Sequence, residues 1–199
     1  NNNKAKSIVL GQKLKRYVSR RLGIEILEPY FKQYMAIETD SQKLAEFKEV
    51  YSKLNALSAG NQAPDFSATD MSGKKVSLSD FKGKFVYIDI WTTWCPPCRK
   101  EIPFLAELEH DLKDENIVFI GVSLDKDSTA WANMVTEKDM KGFQVLAENA
   151  FKSEIARSYI VKNIPRFLLI DPQGKIVNQN AARPSRGAKE EIEKALEAI

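Results

Sequence analysis

Phe85-Val86-Tyr87-Ile88-Asp89-Ile90-Trp91-Thr92-Thr93-Trp94-Cys95-Pro96-Pro97-Cys98 carries the change from strand to helix on which the fold turns. Its first seven residues are almost continuously apolar and rich in β-branched and aromatic side chains, as in a strand buried on both faces. Beyond the cysteines, Ile102, Leu105, Leu108 and Leu112 keep a helical period. Residues 116–124, with Ile117, Val118, Phe119, Ile120 and Val122, make a second buried strand. That order is a βαβ unit, for which a right-handed crossover is expected.

Upstream, Phe66 and Ala68, then Val76 and Leu78, alternate around Met71-Ser72-Gly73-Lys74, which predicts a hairpin with the glycine at its turn. Downstream, Trp131, Met134 and Val135 predict a helix, residues 143–146 a short strand, and Phe151, Ile155 and Tyr159 another helix. Residues 167–170 and 176–177 form two strands joined through Asp171-Pro172-Gln173-Gly174, and Ile192, Ala195, Leu196 and Ile199 mark a closing helix that Ser185 is expected to cap. Residues 1–60 differ in character. The first twelve are polar and expected to fray, and from Lys13 the apolar positions fall at helical spacing (Leu14, Val18, Leu22; Ile26, Leu27, Tyr30, Phe31, Tyr34; Leu44, Phe47, Tyr51, Leu54). Ser41 is expected to cap the last of these helices, with Gly60 left-handed just beyond it. Residues 1–60 are therefore expected to be a helical extension packed on a second domain, 61–199.

The chain has 199 residues, 43% of them hydrophobic, which suffices for a core without cross-links. Its two cysteines, Cys95 and Cys98, are therefore more suited to chemistry than to stapling, since a ring that small removes little loop entropy. A cysteine at a helix N-terminus faces backbone amides and the positive end of the dipole, which favour the thiolate. Pro96 fits the first helical turn. Pro97 withdraws a second amide, so the Cys95 thiol is expected to be less acidic than with glycine at position 96. Cys98, one turn on and deeper, is placed to resolve a mixed disulfide formed by Cys95. Asp89 stands alone in an apolar strand, so either its pKa is raised or water reaches it. At six residues before Cys95 it is placed to take and return the proton of Cys98. Glu101, three residues after Cys98, faces nearly the same way and is a second candidate for that task. A tetrahedral zinc site needs four ligands and the single histidine is His110, so no metal is expected.

At these residues the chain resembles the thioredoxin superfamily, and within it the TlpA/ResA-like thiol-disulfide oxidoreductases, over roughly Gln62 to the C-terminus. The most specific element is the run from Asp89 to Cys98, continued by Pro103. Ala63-Pro64-Asp65-Phe66 and the segment from Gly73 to Lys84 resemble the start of the AhpC/TSA and Redoxin group. The resemblance implies an α/β thioredoxin fold, a central mixed β-sheet flanked by helices, with an N-terminal β-hairpin and a helix-strand element inserted over about residues 125–150. It implies a cis Pro165 lying against the cysteine pair, with the backbone of Ile164 holding a substrate strand beside Trp94 and Pro96. Arg166, often threonine in the family, puts a positive charge there that can favour the Cys95 thiolate or an acidic partner. Asp89 matches the buried aspartate of thioredoxin, and Glu101 the glutamate of the ResA-like branch.

The implied activity is disulfide exchange with protein thiols and disulfides, as a reductase served by a redox partner protein, with no cofactor beyond the Cys95-Cys98 disulfide. The implied location is periplasmic or cell-envelope. The start Asn1-Asn2-Asn3-Lys4 lacks a Met and is expected to be a processed or truncated beginning, and no apolar stretch is long enough to span a bilayer. A formal charge of +3 with mixed signs gives nucleic-acid binding no support, although residues 1–60 hold eleven Lys and Arg against six Asp and Glu. Two rival readings remain open. A peroxiredoxin-like peroxidase needs Pro-x-x-x-Thr-x-x-Cys; Thr92 is in place, but Ile88 stands where the proline belongs. A binding module would use Trp91, Trp94 and Ile164 as a surface, without exchange chemistry.

Overall fold

The computed structural model describes residues 2–19 and 23–198, and the chain divides into two compact units, residues 1–58 and 59–199. The first is all helical: α1 (Asn2–Ser19), α2 (Ile24–Ile37) and α3 (Ser41–Ala56). Its interior is aromatic, with Phe31 edge-on to Tyr51 at 4.9 Å and Tyr34 tilted against Phe47 at 4.5 Å between ring centroids. Residues 2–12 are not frayed. They are helical from Asn2, and the buried Ser7 hydroxyl donates to Glu38, so the polar character of this stretch belongs to a helix face. The cap of α3 is Asp40, whose carboxylate accepts from the amides of Gln42 and Lys43, while Ser41 is already helical. The two residues compete for one position, and the carboxylate, which reaches two orphan donors, holds it. Gly60 is left-handed as expected, but α3 ends at Ala56 and the Gly60 amide donates to Ile176, inside the second unit. Leu22 lies outside the described residues.

The second unit is built on one seven-stranded mixed sheet, with β1 (Ser67–Asp70), β2 (Lys75–Ser77), β3 (Phe85–Trp91), β4 (Ile117–Ser123), β5 (Phe143–Leu146), β6 (Arg166–Ile170) and β7 (Ile176–Asn178) in the spatial order β2-β1-β5-β4-β3-β6-β7. β3 pairs in parallel with β4 and antiparallel with β6. This is the thioredoxin fold, preceded by the β1–β2 hairpin, whose turn requires the left-handed Gly73 (φ +85°). α4 (Pro96–Asp111) follows β3, and α5 (Ser128–Glu137) with β5 forms the inserted element. Alternation along β3 puts Phe85, Tyr87, Asp89 and Trp91 on one face. Phe85 and Tyr87 pack with Phe119, Phe167 and Leu169 under Leu105 and Leu108 of α4 and Leu112 at its C-terminal cap. The same cluster holds Ala188 and Ile192 of α7 (Ala188–Glu197). Ile199, expected on that face, lies outside the described residues.

Two expected features differ. The helix through Phe151 and Tyr159 is a short 3-10 turn (Ala150–Lys152) followed by the five-residue α6 (Glu154–Ser158), because the left-handed backbone at Asn149 and Ala150 and the cap at Ser153 interrupt it. α7 starts from Gly187, with no side-chain cap; Ser185 has another partner.

Candidate active site

β3 ends at Trp91, and the turn that follows is pinned before it reaches the cysteines. The buried Asp125, just beyond β4, accepts at 2.8 Å from both the amide and the hydroxyl of Thr93 and at 2.7 Å from the Ser123 hydroxyl. Cys95 is the N-cap of α4, with Pro96 and Pro97 in the first turn. Neither proline offers an amide, and the Cys98 amide, 3.2 Å away, donates to the Cys95 sulfur. The two cysteines are joined as a disulfide with their Cα atoms 5.3 Å apart. α4 continues through Pro103.

Both cysteines are buried, Cys95 at 4% exposure and Cys98 at 1%. They pack in one apolar cluster with Trp91, with Trp131 and Val135 of α5, and with Ile164. Ile164 precedes Pro165 across a cis peptide bond and packs against the cluster that holds the cysteine pair. Trp94, at 61% exposure, stands outside this cluster, tilted against Phe151 at 6.2 Å. Together they form an exposed aromatic pair beside Cys95.

Asp89 is 3% exposed, and its Oδ1 has no hydrogen-bond partner among the described residues. Burial holds its carboxyl well above the ordinary aspartate range, and the nearby charges of Glu101 and Glu109 push it the same way. Glu101 is equally buried but well supplied with donors. Its oxygens accept from the Ser185 hydroxyl at 3.0 Å and the Ser185 amide at 3.1 Å, and Arg183 lies 3.5 Å away. Ser185, expected to cap α7, is thus used to anchor Glu101. Arg166 is buried, on the sheet face of its partner Ile90 rather than that of Asp89, and donates to Gln179 at 3.4 Å. That burial withdraws its charge from an acidic partner docking on the surface.

Sequence reasoning missed Asp125, Arg183 and Ser185, which position the site without lying near it in the chain. It also missed Glu109 on α4, whose carboxyl is pushed up to about 7 by burial, against the opposing pull of Lys141. Among the described residues no cluster of His, Cys, Asp and Glu suits a metal ion, and no helix is long and apolar enough to cross a membrane.

A sequence profile of the AhpC/TSA family matches residues 59–179. The chain is 35% identical over 153 residues to the thiol-disulfide oxidoreductase ResA of Bacillus cereus, covering 77% of this chain and 85% of that protein. It is 31% identical over 131 residues to ResA of Bacillus subtilis, covering 66% and 72%. Among solved structures, the thioredoxin domain of a thiol-disulfide oxidoreductase from Bacteroides vulgatus superimposes with a TM-score of 0.65 at 34% identity, over 70% of this chain and 99% of that one.

Proposed function

The chain belongs to the AhpC/TSA family and is a thiol-disulfide oxidoreductase of the ResA-like kind, and from that premise we propose that it reduces protein disulfides outside the cytoplasm, with Cys95 as nucleophile and Cys98 as resolving thiol. The observation that carries the assignment is the asymmetry of the pair. Cys95 caps α4 beside the exposed Trp94 and takes the Cys98 amide, while Cys98 lies within the helix, in the same cluster. The Cys95 thiolate attacks a client disulfide, one client sulfur leaves as thiolate, and a mixed disulfide remains. The Cys98 thiolate then attacks the Cys95 sulfur, closing the internal disulfide and releasing the second client thiolate, so two electrons pass from the dithiol to the client.

Asp89 is the proton carrier in this reading, because it is the carboxyl whose environment favours its protonated form; Glu101, held by Ser185, is a fixed neighbour. Ile164, Pro165, Trp94 and Pro96 form the client-facing rim, and Arg166 supports it from within the sheet. A separate redox protein restores the dithiol, and no further cofactor is invoked. Peroxidase chemistry gains nothing from the geometry, since Ile88 is buried in the middle of β3.

Insulin reduction tests the assignment. Cys95→Ser is expected to abolish it, and Cys98→Ser to accumulate a mixed disulfide. Activity retained by Cys95→Ser overturns the nucleophile. The direction of flow is tested by equilibration against glutathione and dithiothreitol: a reductase should lie towards the thioredoxin value of about −270 mV, and a potential near the DsbA value of about −120 mV would reverse the assignment.

A further inference from the structure

Burial favours the protonated Asp89 carboxyl, so before it can take the Cys98 proton its own must leave a site bordered by the cluster of Trp91, Trp131 and the cysteine pair. The sheet contains a gap that serves this end. Asp89 of β3 pairs with Gly121 of β4, and Gly121 with Gln144 of β5, so the three form one row across the sheet. Gly121 has no side chain, and the Gln144 amide lies in the vacated space: a Cβ on Gly121 would meet Oε1 at 2.2 Å. Strands are about 4.8 Å apart, so that oxygen lies one short step, or one water, from the Asp89 carboxyl. Asp89 Oδ1 and Gln144 Oε1 are both buried without a hydrogen-bond partner among the described residues. Gln144 is held in this pose by its Nε2, which donates to the Lys141 carbonyl at 2.6 Å. On its outer side Gln144 lines a narrow cleft of about 10 Å³, room for a single water, together with Glu109, Lys138 and Lys141. Glu109 is half-buried there, its Oε1 3.0 Å from where a Cβ on Gly142 would stand.

We propose that the row Asp89-Gly121-Gln144 and the cleft at Glu109 form a proton exit for the exchange reaction, with Gln144 and Glu109 as positioning residues that return Asp89 to its carboxylate form. This rests on the thiol-disulfide exchange assigned above. The Asp89 carboxylate takes the Cys98 proton, leaving the thiolate that closes the disulfide. The Asp89 carboxyl then passes that proton across the Gln144 gap to the Glu109 carboxylate, which releases it to solvent. The charged groups facing the path are Glu101 on the Asp89 side, and Lys138 and Lys141 on the Glu109 side. Glu109 is suited to its part because burial pushes its carboxyl up to about 7, near the working pH.

The test follows oxidation of the pre-reduced full-length chain by insulin across pH, in dilute and in concentrated imidazole buffer. Glu109→Gln and Gln144→Leu are expected to slow it about tenfold in dilute buffer, less than the 10²–10⁴ carried by a direct acid-base group. Concentrated imidazole, small enough to deliver and remove protons, should restore the rate. Gly121→Ala displaces the Gln144 amide while keeping every carboxyl, and should show the same buffer dependence. Unchanged rates, or losses that imidazole does not restore, overturn the exit. A wild-type chain that does not reduce insulin overturns the exchange assignment instead.

Discussion

Asp89 and Glu101 carry the same functional group at similar burial, and their partners separate them. Glu101 accepts from Ser185 twice, whereas Asp89 Oδ1 accepts from nothing among the described residues. The cost of that isolation has a pH signature. Its pKa in the folded state lies well above the ordinary 3.8, so the folded chain holds a proton that the unfolded chain releases, and stability declines as pH rises above about 4. Glu109 adds a decline of the same sign between 4.5 and about 7. Asp89→Asn removes the larger part, and urea denaturation should show it roughly 1–3 kcal/mol more stable than wild type at pH 8, with the difference shrinking towards pH 4. The same variant should lose about 10²-fold or more in insulin reduction at neutral pH. A variant less stable than wild type at pH 8 would refute the unpaired, buried acid.

At the scale of elements, α5 covers the disulfide with Trp131 and Val135. It is started by Asp127, whose carboxylate accepts from the amides of Thr129 at 2.9 Å and Ala130 at 3.0 Å. Asp127→Ala should cost about 1 kcal/mol and, by loosening that cover, speed the attack of small thiols such as dithiothreitol on the disulfide. Equal reduction rates would uncouple α5 from the site. Asp125 acts from the end of β4: in Asp125→Ala the half-buried Thr93 amide and the buried Ser123 hydroxyl lose their acceptor, for roughly 1–3 kcal/mol. The handover from β3 to α4 was legible in sequence because a continuous apolar run, two cysteines and prolines at the first helical turn follow one another within fourteen residues. The anchoring of Glu101 was not, since Ser185 stands 84 residues away in a loop with no periodic signal. Gly121 did leave a trace, a glycine inside a buried strand, which marks close approach by another group; only the β4–β5 register shows that the group is Gln144. Adjacent Asp40 and Ser41 offered equal capping chemistry, so local sequence could not choose between them.

For the molecule as a whole, every group assigned to exchange belongs to residues 59–199, one of the two compact units. The beginning of that unit is tied to the far edge of its sheet. The Gly60 amide donates to Ile176 at 2.8 Å, the Ile176 amide to Asn61 at 2.9 Å, and the Ala63 amide to Gly174 at 2.9 Å. The Gln62 side chain adds a bond to the Gly174 carbonyl at 2.7 Å, and the buried Tyr159 hydroxyl donates to the Pro64 carbonyl at 2.7 Å. A fragment starting at Ala59 keeps all of these and is expected to fold cooperatively and reduce insulin at the full-length rate. A fragment starting at Asp65 loses them and strands the Tyr159 hydroxyl, and should unfold at lower urea, for a loss of roughly 5 kcal/mol at about 1 kcal/mol per bond. Tyr159 closes the short helical stretch from which the chain runs on to Ile164 and Pro165, so the shorter fragment should also exchange more slowly than its stability alone dictates when assayed well below its unfolding midpoint. Equal stability of the two fragments would show that residues 59–64 are dispensable to the sheet, and inactivity of the longer one would show that the helical unit is needed for exchange.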